Sequence, residues 1–312
     1  MDFFYGLNRL VQRLPNLGLW SIRSVGSEDR RTPAVWEIAG AHGRQVVVVN
    51  PLVAMPFEPV KGAIVDLSKS WTRGAAAFQP PELAERWAKE AHNYATIKNE
   101  AAFEENASRL QEEVDFTLAL MDEFKPDLTI FYTHFVDTTL HFHWDFHARD
   151  RFWIRDLPSQ LSNEDWETLL GDSTTDIALR AHIEIDRQLG RILDRHPDAM
   201  IVLLSDHGWT FSGYEHFGAQ DGMAVVAGPG VRAGEVIDSM SIQDVTPTVL
   251  AMLDVPVSRE FAGRPVVSML VEPPEIAWVE GYSITTSEPD GETSVDMDPA
   301  EAERLRAIGY IE

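Results

Sequence analysis

Short apolar runs alternate along the chain with longer amphipathic stretches. The apolar runs cover residues 45–50 (QVVVVN), 128–133 (LTIFYT), 201–205 (IVLLS) and 223–227 (MAVVA). A continuous apolar run of strand length suits a strand that is covered on both faces, as in a parallel sheet. We therefore expect these four segments to be strands of a mostly parallel sheet.

Helical patterns separate the predicted strands. They cover residues 33–42, 81–94, 101–124, 175–195 and 245–253. Thr32 precedes Pro33 and is expected to cap the first of these helices. Asp244 is expected to introduce the last one, with Pro247 in its first turn. The alternation of strand and helix indicates an α/β fold, with a mostly parallel sheet and helices on both faces.

Metal-ligand residue types follow two of the predicted strands. Asp137 and His141 come after the second strand, and Asp206 and His207 come directly after the third. In an open α/β sheet, ligands bind beyond the carboxyl ends of the strands. Residues four apart, such as Asp137 and His141, share one face of a helical turn, and imidazole with carboxylate suits zinc or manganese.

Each of these patterns also has a plainer interpretation. The Asp206-His207-Gly208 sequence fits an Asx turn with a surface histidine, and the His-rich segment 134–147 fits an aromatic surface or interface. His216, just before the fourth strand, could be a structural loop histidine. Taken together, however, the three His and two Asp are the kind of set that a two-metal site needs.

The composition of the chain limits its size class, its possible partners and the side chains that could bind a metal. The 312 residues are 44% hydrophobic, enough for one large domain or two small ones. The formal net charge of −24 argues against a nucleic-acid polymer as partner. With no cysteine, any metal must be held by His and carboxylate. Residues 1–20 have no continuous apolar core, and no segment approaches the roughly 18 apolar residues of a membrane span, so we expect a cytoplasmic protein with no signal peptide.

Further short motifs accompany these residues in a fixed order. They are Pro33-Ala34-Val35-Trp36-Glu37-Ile38, Val48-Val49-Asn50, Asp137-x-x-x-His141-x-x-Trp144, Ile185-Asp186-x-x-Leu189-Gly190, Leu204-Ser205-Asp206-His207-Gly208, His216 before Asp221-Gly222, Gly228-Pro229-Gly230, Asp244 to Leu250, Gly263-Arg264-Pro265 and Leu305 to Ile311. In this order they resemble the type I phosphodiesterase/nucleotide pyrophosphatase branch of the alkaline phosphatase superfamily. The resemblance runs from about Thr32 to the end of the chain.

The resemblance implies an alkaline-phosphatase-like fold and a metal-dependent hydrolase of phosphate esters. It implies that Asp137, His141 and His216 hold one divalent cation and that Asp206 and His207 hold a second. The two ions would be zinc, with manganese as the alternative. The substrate would be a small phosphate or sulfate ester, and the oligomeric state is left open.

The family's nucleophile segment has no counterpart in the sequence. In the family, a strand ending in a metal-binding Asp and a Thr or Ser nucleophile lie upstream of the matching region, whereas residues 2–5 (DFFY) resemble a stretch that follows the nucleophile. We consider a truncated chain missing the first strand, a degenerate member that binds metal without turnover, and a substitute nucleophile. The nucleophile itself is not identified; Thr32 is the best candidate for a substitute, because it precedes a predicted helix and helix N-termini favour phosphate.

Two further expectations concern function and organisation. Beside the hydrolase, we keep as alternatives a non-catalytic metal-binding member of the same fold, and a sulfatase or phosphotransferase of the superfamily.

Residues 1–271 are expected to form the α/β domain, with a variable cap-like region at about 66–125. Residues 272–298 are predicted to be an acidic loop or linker, and 299–312 a C-terminal helix that packs on the domain.

Overall fold

A computed structural model describes residues 9–13, 20–24, 26–68, 73–87, 100–143, 177–208, 221–237 and 239–282. The strands are β1 (Arg9–Arg13), β2 (Trp20–Ser24), β3 (Val46–Val49), β4 (Gly62–Val65), β5 (Phe78–Gln79), β6 (Leu128–Phe131), β7 (Ile201–Leu204), β8 (Ala224–Ala227), β9 (Val257–Ser258) and β10 (Trp278–Val279). The α-helices are α1 (Val35–Ala41), α2 (Ala84–Trp87), α3 (Glu100–Phe124), α4 (Phe135–His143), α5 (Ile177–Arg195) and α6 (Ile242–Met252). Short 3-10 turns lie at Ser27–Asp29, Gly74–Ala77 and Pro81–Leu83.

The central sheet has four strands in the order β5-β4-β3-β6. Strand β3 pairs in parallel with both β4 and β6, so that Val46 lies opposite Gly62 on one side and Leu128 on the other. The short β5 runs antiparallel to β4 at the edge. The predicted α/β fold with a mostly parallel sheet is therefore confirmed, and the carboxyl ends of β3, β4 and β6 meet at one edge.

Helices cover both faces of this sheet. Val47 and Val49 point toward Phe116 and Leu120 of α3, in one buried cluster. Val46 and Val48 belong to a second cluster on the opposite face, with Ala39 and Trp36 of α1. All four valines of β3 are fully buried, and burying a side chain of this size stabilises the fold by about 1.5–3 kcal/mol. The apolar run at 45–50 thus forms the doubly covered strand that its pattern predicts.

The long helices pack on one another beside the sheet. Helices α3 and α5 begin and end within two residues of the predicted bounds. Phe103 and Leu110 of α3 share a buried cluster with Phe135 of α4 and Ala181 of α5. Arg180, near the start of α5, forms ion pairs with Glu100 and Glu104 of α3. This packing holds α4, which carries the first candidate ligand pair, against two longer helices.

Two predicted helix starts are wrong. Helix α1 begins at Val35 with Ala34 as its N-cap, and the Glu37 carboxylate accepts a hydrogen bond of 2.8 Å from the Ala34 N–H. Thr32 is exposed and lies two residues outside that cap. Helix α6 begins three residues earlier than predicted, because Ser241 is the N-cap and Asp244 closes a capping box on it.

The last two predicted strands lie outside the parallel sheet in the part of the chain that the structure describes. Strands β7 and β8 pair antiparallel with each other in a two-stranded sheet. Leu204 is 42% exposed and Val225 48%. The expectation of parallel pairing with both faces covered is therefore wrong for these two strands. Their apolar character reflects strand propensity together with the partial burial of β7.

Two other predicted helices lie partly or wholly outside the described residues. The helix predicted at 81–94 is seen as Pro81–Leu83 and α2, and residues 88–99 lie outside the described ranges. The predicted C-terminal helix at 299–312 also lies outside them. Within the residues described, no helix combines the length and the apolar character that crossing a membrane requires.

Candidate metal site at two strand ends

The first candidate pair lies on α4, directly beyond β6. The Thr133 hydroxyl accepts a hydrogen bond from the Phe135 N–H at 3.2 Å, and the Thr138 N–H donates to the His134 carbonyl at 2.8 Å. These bonds turn the chain from strand into helix within a few residues. Asp137 consequently lies in the first helical turn, and His141 lies one turn later on the same face, as the four-residue spacing predicts.

The side chains of this pair face each other. His141 Nε2 lies 3.6 Å from Asp137 Oδ1, and the His141 side chain is 4% exposed against 21% for Asp137. A separation of 3.6 Å is too long for a hydrogen bond. Two ligands of one tetrahedral zinc ion, each at about 2.0–2.1 Å from the metal, lie about 3.3 Å apart. The observed separation is therefore close to what a shared cation requires.

The second candidate pair follows β7. Ser205 holds the end of this strand against β8, because its N–H donates to the Met223 carbonyl and its hydroxyl accepts from the Met223 N–H, both at 2.9 Å. A Cβ on neighbouring Gly222 would lie 2.2 Å from the Ser205 carbonyl oxygen, so this close approach requires glycine. Asp206 and His207 leave the strand immediately after this fixed point.

The imidazole of His207 is oriented by the backbone carbonyl of the next residue, Gly208. Its Nδ1 lies 2.8 Å from the Gly208 carbonyl oxygen, which can only accept, so Nδ1 carries the hydrogen. In the neutral imidazole the lone pair is then on Nε2, which lies 3.7 Å from Asp206 Oδ1. A backbone carbonyl that fixes the tautomer in this way is a common partner of metal-binding histidines. Both pairs therefore present Nε2 and a carboxylate oxygen at nearly the same separation.

Each pair supplies two ligands, and the structure does not bring the two pairs together. Across the described ranges, no group of three or more His, Asp or Glu side chains is arranged to hold a metal ion. The pairs follow strands of two different sheets, β6 and β7. His216, the fifth predicted ligand, lies outside the described residues. The donor types fit zinc or manganese, and each half-site needs further ligands.

Thr32 lies outside the N-terminus of α1. A nucleophile at a helix N-terminus can approach a phosphate that the helix end attracts. Ala34, however, is the N-cap of α1, and that helix has seven residues. Thr32 is exposed to solvent. Its role as nucleophile therefore stays a prediction from the sequence alone.

A buried polar cluster at the same sheet edge has no role in the sequence-based predictions. Asn50 follows β3, and Arg109 and Glu113 come from α3; all three are nearly or fully buried. Asn50 Nδ2 donates to Glu113 Oε2 at 3.2 Å, and Arg109 Nε donates to Glu113 Oε1 at 3.1 Å. The sequence contains one indication of this cluster: Arg109 and Glu113, four residues apart, are charged residues on the otherwise apolar face of a long helix.

A comparison with models of known protein families identifies the same family that the ordered motifs resemble. A family model described as type I phosphodiesterase / nucleotide pyrophosphatase matches residues 13–232, more than half of the chain. This family belongs to the alkaline phosphatase superfamily. No curated protein and no solved structure matches the chain. The matched range contains both ligand pairs and His216, and it ends shortly after β8.

Proposed function

The chain belongs to the type I phosphodiesterase / nucleotide pyrophosphatase family, and from this membership we propose that it hydrolyses small phosphate esters with the help of two divalent cations. The family acts on small phosphate esters and is generally metal-dependent. The two His–carboxylate pairs are the observation that carries the proposal for this chain. Each pair follows a strand end, and the first lies beyond β6 at the carboxyl edge of the parallel sheet, where α/β folds bind their ligands.

One cation would be held by Asp137, His141 and His216, and the other by Asp206 and His207. The support is the separation of Nε2 from the carboxylate oxygen, 3.6 Å in the first pair and 3.7 Å in the second. In the second pair, the contact of Nδ1 with the Gly208 carbonyl makes Nε2 the nitrogen that would bind the cation. The first pair is the more buried, so a cation there would be less accessible to water.

Zinc is the preferred ion and manganese the alternative. The chain has no cysteine, so the ligands are imidazole and carboxylate, which both ions accept. A divalent cation supplies Lewis acidity toward a phosphoryl oxygen and offsets negative charge in a displacement reaction. It would also reverse the local sign of an otherwise acidic protein of net charge −24, so that an anionic ester could approach.

A non-catalytic metal-binding protein is the second candidate. The observation in its favour is the position of Thr32, which is exposed and two residues outside the N-cap of α1. Without a placed nucleophile, the family's two-step route through a covalent intermediate has no identified starting group. The two candidates share the metal pairs and differ only in turnover.

A chromogenic phosphodiester assay with added zinc or manganese separates these candidates. We expect turnover by the purified chain that falls by at least about 100-fold in Asp206→Asn, which removes a ligand charge without changing side-chain size. Asp198→Asn is the matched control, since Asp198 is an exposed carboxylate in the turn before β7. Metal binding without turnover by the folded chain would contradict the hydrolase and favour the non-catalytic protein.

A further inference from the structure

Asn50 occupies an unusual position at the end of β3. Its backbone φ is +57°, in the left-handed region, and its side chain is almost fully buried at 6% exposure. Asparagine is one of the few residues other than glycine that accept this conformation readily. The backbone turn directs its amide toward the neighbouring strand ends, at the edge where β3, β4 and β6 all finish.

The Asn50 amide joins three separate segments. Its Oδ1 accepts a hydrogen bond from the Leu67 N–H, just beyond β4, at 2.8 Å. Its Nδ2 donates to the Tyr132 carbonyl, in the connection between β6 and α4, at 3.3 Å. The same Nδ2 donates to the Glu113 carboxylate of α3 at 3.2 Å. One side chain therefore links both neighbouring strand ends to the helix that covers them.

Glu113 is a rigid partner for this amide. Its side chain has no exposed surface, and Arg109 Nε donates to its other oxygen at 3.1 Å. Arg109 Nη2 in turn donates to the Leu67 carbonyl at 3.3 Å. A buried charge that is paired and hydrogen-bonded in this way has little freedom to rearrange. The Asn50 amide is thus held from two sides, by Leu67 and by Glu113.

The hydrogen bond from the Asn50 amide to the Tyr132 carbonyl connects it to the segment that leads into the first ligand pair. Tyr132 is the residue directly after β6, and α4 begins three residues later at Phe135. The Tyr132 ring also contacts His134, with its hydroxyl 3.2 Å from His134 Nδ1. The position of the Tyr132 carbonyl therefore sets where α4 starts, and with it where Asp137 and His141 lie.

We propose that Asn50 is a positioning residue for the Asp137–His141 pair: it fixes the β6–α4 connection and thereby holds the start of α4, and with it both side chains, in place at the edge where β3, β4 and β6 end. As far as the cation is concerned, this inference rests on the proposed function. Asn50 itself binds no cation in this arrangement. It acts through the Tyr132 backbone, in the way that outer partners orient metal ligands.

Two substitutions of Asn50 test this role. Asn50→Gly removes the amide and keeps the left-handed conformation accessible. Asn50→Asp keeps the size and the Leu67 contact, but it turns the donor into an acceptor facing the Tyr132 carbonyl and the Glu113 carboxylate. Because the two variants differ in charge, a shared effect belongs to the lost donor. Thr117→Val is the matched control, since it also removes a buried hydrogen bond on α3, from Thr117 to the backbone carbonyl of Glu113, but changes neither the Asn50 amide nor the Glu113 carboxylate.

The first readout is hydrogen exchange of the metal-free protein. We expect amides of residues 132–141 to exchange at least about tenfold faster in both Asn50 variants than in the wild type, while amides of α1 keep their protection. Thr117→Val should leave residues 132–141 unchanged. Uniform acceleration throughout the chain, or equal effects in Thr117→Val, would overturn the positioning role and leave Asn50 as a general stabilising residue.

The second readout is Zn²⁺ affinity, measured by competition with a chromogenic chelator. We expect both Asn50 variants to bind Zn²⁺ at the first site about 10-fold more weakly than the wild type, with Thr117→Val unchanged. Unchanged affinity in both variants would contradict the proposal. If the wild type itself binds no Zn²⁺, the proposed function fails, and the exchange experiment still decides whether Asn50 orders the β6–α4 connection.

Discussion

His141 Nε2 lies 3.6 Å from Asp137 Oδ1, one helical turn away on the same face of α4. The four-residue spacing creates this neighbourhood, and the packing of α4 against α3 and α5 removes the imidazole from solvent. Two ligand atoms placed by one short helix need little further ordering to share a cation. Metal binding by this protein is therefore expected to depend first on this pair.

Added zinc should raise the melting temperature of the wild-type chain. A ligand that binds only the folded state stabilises it by mass action, by about 2.7 kcal/mol at a free concentration 100 times the dissociation constant. His141→Ala should reduce this shift, because it removes one of the ligands and leaves Asp137 as the remaining ligand on α4. Thermal unfolding followed by circular dichroism over a zinc series measures the effect.

The matched control for this experiment is His182→Ala. His182 is an exposed histidine of α5 whose Nδ1 contacts the Ala178 carbonyl at 2.8 Å. Its removal should leave the zinc-dependent part of the shift intact. Equal zinc-dependent shifts in the wild type and His141→Ala would argue against a cation at the first pair.

Removing the carboxylate of Glu113 should destabilise the fold strongly. Glu113→Ala removes the 3.1 Å carboxylate partner of the buried Arg109 guanidinium, and breaking a buried ion pair by removing one partner costs about 3–5 kcal/mol. Urea unfolding of the variant against the wild type measures the difference. The double variant Arg109→Met with Glu113→Leu should recover much of the loss, because it removes both charges together.

An exposed ion pair between α2 and α3 provides the comparison. Arg86 and Glu123 also form an ion pair, but their side chains are 42% and 50% exposed. Glu123→Ala should cost only about 0–1 kcal/mol, because water screens the interaction. Similar losses in Glu113→Ala and Glu123→Ala would show that burial does not raise the cost of removing the Glu113 carboxylate.

Gly62→Ala should disrupt the start of β4. A Cβ at Gly62 would lie 1.9 Å from the Val46 carbonyl oxygen of β3, and the residue has a φ of +133°. We expect a loss of more than about 2 kcal/mol in the free energy of unfolding, since both the backbone and the strand pairing must shift. Gly43 has a φ of +81°, and a Cβ there would meet no atom within 4 Å, so Gly43→Ala should cost only about 1–2 kcal/mol. Equal losses would contradict the close approach at Gly62.

Alkaline pH should weaken the packing around Tyr282. Burial raises the pKa of the Tyr282 phenol above its ordinary value, and its hydroxyl donates to the Pro256 carbonyl at 2.6 Å. With the folded pKa above the unfolded pKa of about 10, this stabilisation is complete below about pH 10 and is lost as the pH rises through the folded pKa. Urea unfolding at about pH 8 and at about pH 11 should therefore show a smaller pH-dependent loss for Tyr282→Phe than for the wild type. Equal losses would exclude the contribution of Tyr282.

The sequence predicts those parts of the fold in which local pattern and tertiary burial agree. The run of four valines in β3 is covered on both faces, and α3 has an apolar stripe that packs on the sheet. Asp137 and His141 are paired correctly because a helical spacing of four residues determines their relative position. In each case, neighbours along the chain are sufficient to specify the geometry.

Elements whose partners are distant along the chain are predicted less well. The runs that form β7 and β8 look like β3 in composition, but they pair antiparallel and stay partly exposed. Asn50 ends one of the sequence motifs, yet nothing local indicates its role, because its contacts with Leu67, Glu113 and Tyr132 depend on the fold. Periodicity cannot reveal a link between residues 50 and 132.

The most direct test of metal binding is the zinc content of the purified chain after dialysis against zinc, measured by mass spectrometry for the wild type and for Asp137→Asn, Asp206→Asn and the double variant. We predict about two zinc ions per wild-type chain, about one in each single variant and none in the double variant, because each pair holds its own ion. Zinc content that is the same in all four proteins would contradict two separate sites at these pairs.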